Sequence, residues 1–227
     1  MGRRNLIFDA DGTLWREGET FARGIDLFVR HLVRPGLSPG QVREILDEAQ
    51  RLNSATHGYR AGVFERSLTD CLARLRPDSA PTEADRIALE RTCAPVRDRA
   101  LRLVADASPT LTALAADNRL FLLAQGAPAE QGAKIEASGL APMFAGIGNV
   151  RQKDPATYLA FAQGHHLDPA DTWVVGDTAQ TDVWPALAAG MGAVLVAPAT
   201  GGHDDLPEED DRFRRVTGLA ALVDLFG

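Results

Sequence analysis

Cysteine is scarce in this sequence, with Cys71 and Cys93 the two present in 227 residues. They stand far apart, with no C-x-x-C and no histidine at zinc-finger spacing, which excludes a disulfide framework and a structural zinc site. Two reduced core thiols are expected, as in a cytoplasmic protein. No apolar run approaches the roughly 20 residues that span a bilayer. The stretch from Met1 to Leu6 carries Arg3 and Arg4, and Asp9 and Asp11 follow at once, so the apolar core of a secretory leader is missing. Positive charge is in deficit: 24 Lys and Arg face 31 Asp and Glu, a net charge of −7. With no basic block, neither nucleic acid nor an anionic membrane surface is an expected partner. Repeats and low-complexity segments are absent too.

What remains is the balance of a globular chain, 45% apolar and 24% charged. The length suits one domain with a sizeable insertion. Short apolar runs at Leu6 to Phe8, Leu120 to Ala124, Trp173 to Val175 and Ala193 to Val196 read as strands buried on both faces. Ala145 to Val150 and Phe213 to Val216 are weaker candidates. Helical patterns over Thr110 to Ala116, Ala129 to Ser138, Ala156 to His165 and Val183 to Ala189 separate them. This alternation predicts an α/β fold, a Rossmann-like parallel sheet with helices on both faces.

One long interruption breaks the alternation. Phe21, Ile25, Phe28 and Leu32 form a helical stripe. Ser38 is a candidate N-cap with Pro39 at the first helical position, and Val42, Ile45, Leu46, Ala49 and Leu52 make a second stripe. Phe64, Leu68, Cys71, Leu72 and Leu75 make a third, and Thr82 can cap a fourth helix running towards Cys93. These predict an inserted helical domain at 17–97, with 1–16 and 98–227 forming the α/β core. Asp204 to Asp211 reads as a solvated acidic loop.

Ligands of open parallel sheets bind outside the carboxyl ends of the strands. Asp9, Asp11, Gly12 and Thr13 follow the first strand, and Gln125 and Gly126 follow the Leu120 strand. Lys153 follows Val150. Asp177 and Thr178 follow the Trp173 strand, with Asp182 five residues beyond Asp177. Carboxylates gathered there would repel one another without a cation, and Mg2+ suits oxygen ligands that leave it some water. A carboxylate beside such an ion can attack phosphorus. Asp9, the first residue past its strand, is the expected nucleophile. Asp11, two residues on, is placed to serve as general acid and then general base. Lys153 would balance the surplus charge and hold the phosphoryl group, and Gly12 would permit the sharp turn.

The run Phe8-Asp9-Ala10-Asp11-Gly12-Thr13-Leu14 resembles the first motif of the haloacid dehalogenase (HAD) superfamily. Lys153 with Asp154, Pro155 and Tyr158 resembles its third motif, and Gly176-Asp177-Thr178 with Asp182 its fourth. The resemblance covers roughly residues 5–15 and 100–226. It implies a Mg2+-dependent phosphatase acting on a small phosphorylated substrate, with Asp9 and Asp11 as catalytic pair and Lys153 as stabilising cation. It also implies a metal held by Asp9, Asp11 through its backbone carbonyl, and Asp177, with Asp182 nearby. Thr13, Gln125 and Gly126 would meet the substrate, and a helical cap would select it. Within that cap His57, Tyr59 and Arg60, on a glycine-containing break, are candidate substrate contacts.

Ala124 departs from the pattern, because the second motif normally ends its strand with Thr or Ser. Losing one donor from a preorganised anion site costs about 100- to 1000-fold in rate. A catalytically weakened protein that binds a phosphorylated ligand is therefore an alternative. A phosphomutase of the same superfamily is another. A dehalogenase fits less well, since dehalogenases of the superfamily generally lack the second aspartate.

Overall fold

The structure, a computed structural model, describes residues 3–16, 19–59, 62–197, 206 and 211–227. Arg60 and most of the acidic stretch from Asp204 lie outside the described residues. In chain order the elements begin with β1 (Asn5–Phe8), β2 (Trp15–Arg16), α1 (Glu19–Leu32), α2 (Pro39–His57), α3 (Val63–Leu75), α4 (Glu83–Arg97) and β3 (Arg102–Leu103). They continue with α5 (Ala107–Leu114), β4 (Arg119–Gln125), α6 (Pro128–Ser138), β5 (Gly146–Val150), α7 (Pro155–Gly164), β6 (Thr172–Gly176), α8 (Trp184–Ala188), β7 (Gly192–Val196), β8 (Phe213–Val216) and α9 (Leu222–Phe226). The chain divides into two compact units, Met1–Glu17 with Leu103–Gly126 and Pro142–Gly227, and Gly18–Arg102 with Ala127–Ala141.

The first unit is built on a six-stranded sheet in the order β5-β4-β1-β6-β7-β8, and every neighbouring pair is parallel. All four residues of β1 are buried, as an apolar strand covered on both faces must be. Phe8 lies in register with Leu122 on one side and Val175 on the other. The chain builds outward from β1 to β4 and β5, then returns to add β6, β7 and β8. That reversal beside β1 is a topological switch point, where strand ends leave a crevice. The edge strand β5 is Gly-Ile-Gly-Asn-Val, a poor strand by sequence. Its glycines make room for α7: a Cβ on Gly148 would sit 2.7 Å from the Phe161 ring, and one on Gly146 2.4 Å from His165. His165, just past the end of α7, packs there against Phe161 with ring centroids 4.5 Å apart and the rings tilted by 54°.

The second unit packs α1 to α4 and α6 around one apolar cluster that includes Phe21, Ile25, Phe28, Phe64, Leu68 and Ala133. Ser38 caps α2 as expected: its Oγ accepts from Gln41 N, and Gln41 Oε1 accepts from Ser38 N. The α2 stripe differs at its end, where Leu52 is 52% exposed and Asn53 is buried. At 100° per residue, position 53 returns to the Val42 face and position 52 does not. Asn53 meets that burial by donating to Ser67 Oγ and Asp70 Oδ2. Thr82 caps α4 reciprocally with Asp85. Cys71 and Cys93 are free and buried. Among the described residues no helix is long and apolar enough to cross a membrane.

Candidate active site

Beyond Phe8 the chain leaves β1 but stays tied to the sheet, because Asp9 N donates to Val175 O at 2.8 Å. It then folds back on itself: Leu14 N donates to Ala10 O, and Gly12 N donates to Trp15 O at 2.7 Å. Gly12 holds φ +91°, a conformation that favours glycine. Opposite it, Asp177 follows the last residue of β6. A π-helical turn from Ala179 to Val183 then carries Asp182 back under the strand ends. Such single turns insert an extra residue and re-aim a side chain. The result is that Asp9, Asp177 and Asp182 each bring one carboxylate oxygen within 4.8 Å of the others.

Burial makes this cluster electrostatically costly. Asp9 is 8% exposed, Asp182 1% and Lys153 4%. Lys153 Nζ answers the charge by donating to Asp9 Oδ1 and to Asp182 Oδ1. Thr13 Oγ1 donates to Asp9 Oδ2 at 3.0 Å. Asp182 Oδ2 accepts from Thr178 N at 3.1 Å, and the buried Tyr158 hydroxyl lies between Thr181 O and Asp182 Oδ1. Burial pushes the Asp9 carboxyl up to about 6, with Asp182 adding to the rise and Lys153 opposing it. Asp177 is raised by burial and by Asp9. Burial depresses the Lys153 ammonium, but Asp9 and Asp182 outweigh it and hold Lys153 above its ordinary value.

The donor set fits a hard divalent cation. Three carboxylates face one ammonium, and all the ligating atoms are oxygens, as Mg2+ requires. Asp9 and Asp182 each have both oxygens hydrogen-bonded, Asp9 to Lys153 Nζ and Thr13 Oγ1 and Asp182 to Lys153 Nζ and Thr178 N, while Asp177 is the least buried of the three. The Asp11 side chain is outside this triad. Its Oδ1 accepts from Trp15 Nε1 at 2.8 Å.

Gln125, at the end of β4, uses its Oε1 to accept from Lys153 N at 3.0 Å. That fixes the segment between β5 and α7 and sets the orientation of the Gln125 amide. Gly126 N donates to Val150 O. Thr13, expected beside substrate, is wholly buried and commits its hydroxyl proton to Asp9. His57 ends α2 and is half-buried. Tyr59 follows, its phenol raised by burial against a hydrogen bond with Ser54. Arg60 is outside the described residues. Sequence reasoning assigned no part to Trp15. An indole four residues past an aspartate, at the start of a two-residue strand that follows an irregular turn, offers no periodicity to read.

The whole chain is similar in fold to solved structures of low sequence identity. A 2-haloacid dehalogenase from Pseudomonas syringae matches at 22% identity over 98% of this chain and 97% of its own, with a TM-score of 0.58. A HAD phosphatase from Thermococcus onnurineus matches at 21% over 100% and 98%, with a TM-score of 0.59. YfnB from Bacillus subtilis, described as a HAD-hydrolase and bound to magnesium, matches at 17% over 100% of both chains, with a TM-score of 0.57. No curated protein matches the chain. The family model of haloacid dehalogenase-like hydrolases matches residues 4–190, a span that takes in every strand-end residue described above, and the chain belongs to that family.

Proposed function

We propose that this hydrolase is a Mg2+-dependent phosphatase acting on a small phosphorylated metabolite through an aspartyl-phosphate. The observation that carries the reading is the pairing of Asp9, buried against Lys153, with a second aspartate, Asp11, two residues on. Asp9 is the nucleophile. Its carboxylate oxygen bonds to phosphorus as the bond from phosphorus to the ester oxygen breaks, and the leaving oxygen takes a proton from Asp11. Water then attacks phosphorus and gives a proton to Asp11, the Asp9–phosphorus bond breaks, and inorganic phosphate leaves. Lys153 holds Asp9 in place and offsets charge on the phosphoryl oxygens. Asp9, Asp177 and the Asp11 backbone carbonyl are the groups assigned to Mg2+, with Asp182 supporting them through Lys153 and Thr178. A bound Mg2+ would neutralise charge that builds on the phosphoryl group.

Gln125, Gly126 and Thr13 border the reacting group in this reading, and the helical insertion at 17–97 serves as a cap that selects substrate. His57, Tyr59 and Arg60 are its candidate contacts. A cytoplasmic location fits the two free, buried thiols. A weakened, ligand-binding protein is the second reading, favoured by Ala124 in place of a hydroxyl donor. The deciding experiment is a panel of phosphate esters assayed with Mg2+ and with chelator. Turnover that needs Mg2+ supports the phosphatase, whereas binding of phosphorylated compounds without turnover supports the second reading. Turnover indifferent to chelator would overturn the metal assignment.

A further inference from the structure

We propose that Trp15 is a positioning residue that clamps Asp11 through its indole N–H and so fixes the carboxylate that delivers the proton. The inference rests on the phosphatase reading above. Trp15 is wholly buried, and its backbone is committed at both ends: its N donates to Ala10 O and its carbonyl accepts from Gly12 N. An indole so held has a donor fixed in space. That donor meets Asp11 Oδ1 at 2.8 Å, while Asp11 itself is only half-buried on the loop. The fully buried indole therefore sets the position of the less buried carboxylate.

Pairing of an indole N–H is not automatic in this fold. Among the described residues Trp173 Nε1 is buried with no hydrogen-bond partner. The Trp15 contact also has a chemical consequence. A carboxyl oxygen that accepts an N–H along a lone pair does not carry the acid proton there, so the clamp assigns the transferable proton to Asp11 Oδ2. A carboxyl free to rotate would present the proton to the leaving oxygen for only part of the time, and general acid catalysis depends on that alignment.

The test compares wild type with Trp15→Phe, which keeps an apolar ring and removes the N–H. The measured quantity is kcat/KM, which reports the first half-reaction, on p-nitrophenyl phosphate and on a primary alkyl phosphate at saturating Mg2+. A nitrophenolate leaves without needing a proton and an alkoxide does not. The expected result is a fall of about 10- to 100-fold on the alkyl ester and a far smaller one on the aryl ester. A purely structural role would lower both equally, and that outcome, or no change on either, overturns the proposal. A second measurement stands apart from turnover and from whether the variant folds. Among the three tryptophan indole N–H resonances of the wild type, one should move upfield in Asp11→Ala, and the clamp does not exist if none moves. A wild type that hydrolyses neither ester would sink the phosphatase reading, while the indole resonance would still decide whether Trp15 holds Asp11.

Discussion

Asp177 approaches Gly12 more closely than any side chain at position 12 would allow: a Cβ there would lie 2.1 Å from Asp177 Oδ2. The same residue holds φ +91°. Two independent constraints therefore require glycine at this position, one from backbone conformation and one from the carboxylate opposite.

Gly12→Ala is expected to abolish turnover. The added methyl must displace either the Asp177 carboxylate or the loop that carries Asp11, and misplacement of a reacting group by about 1 Å costs on the order of 100-fold. The sheet does not depend on this loop, so far-ultraviolet circular dichroism should remain that of the wild type. Retention of more than about a tenth of the activity would show that the loop opens without harm to the site.

Lys153→Met removes the cation between Asp9 and Asp182 and keeps a chain of similar length. Both carboxylates are then left buried without a counter-charge, which costs about 3–5 kcal/mol. Activity should fall at least about 100-fold, and the urea midpoint should drop. Lys153→Arg is not expected to restore either, because a planar guanidinium cannot reproduce a point donor shared between two buried oxygens. Rescue by arginine would mean that charge alone, and not its placement, is what the site needs.

Much of this architecture is legible in the sequence. β1, β4, β6 and β7 are continuous apolar runs, and strands buried on both faces leave that mark. Asp9 and Asp177 are legible because they follow β1 and β6 directly, and Lys153 and Asp182 because they come a few residues after Val150 and Asp177. Legibility failed where the cause was tertiary. β5 looks weak because Gly146 and Gly148 are shaped by His165 and Phe161, the first just past the end of the later helix α7 and the second within it. Helix α6 reads as a generic helix, yet Ala129, Ala133 and Ala137 pack it among α1 to α4. Small residues with no strong pattern do not announce their partner. The bond from Trp15 to Asp11 depends on an irregular turn, which periodicity cannot encode.

The helical insertion carries its own pH dependence. Asp85 is 1% exposed and accepts from Thr82 N and Oγ1, from Arg76 and, with His31 as the donor, from His31 Nε2. Burial raises its carboxyl, but the bonds from Thr82 and His31 and the Arg76 charge outweigh it and bring it down to about 2. A folded value below the ordinary 3.8 gives stability that is complete above that ordinary value and is lost as pH falls through about 2. Asp85→Asn should therefore lose about 1–2 kcal/mol at pH 7, discounted because Arg76 and His31 are partly solvated. The gap in urea midpoint between wild type and variant should narrow from pH 4 towards pH 2. A gap that stays constant over that range would assign the loss to packing and not to charge.

Ala124→Ser is expected to raise activity. Ala124 is wholly buried near the end of β4, in register with Asn149, at the place where the resemblance to the second motif implies a hydroxyl. Serine adds a single oxygen, while threonine would add two heavy atoms to a filled position at a cost of about 1–3 kcal/mol. The new hydroxyl supplies a donor for a phosphoryl oxygen as charge develops there, and kcat/KM should rise about 10- to 100-fold. Without a ligand the same hydroxyl is a buried group in need of a partner, which costs about 1–3 kcal/mol. The variant should therefore melt below the wild type alone and gain more than the wild type from added inorganic phosphate. A flat rate together with an equal phosphate shift would mean that the donor is already present. Gln125 is the residue to test next in that case, because Lys153 N holds its Oε1 and fixes which way its amide N–H groups point.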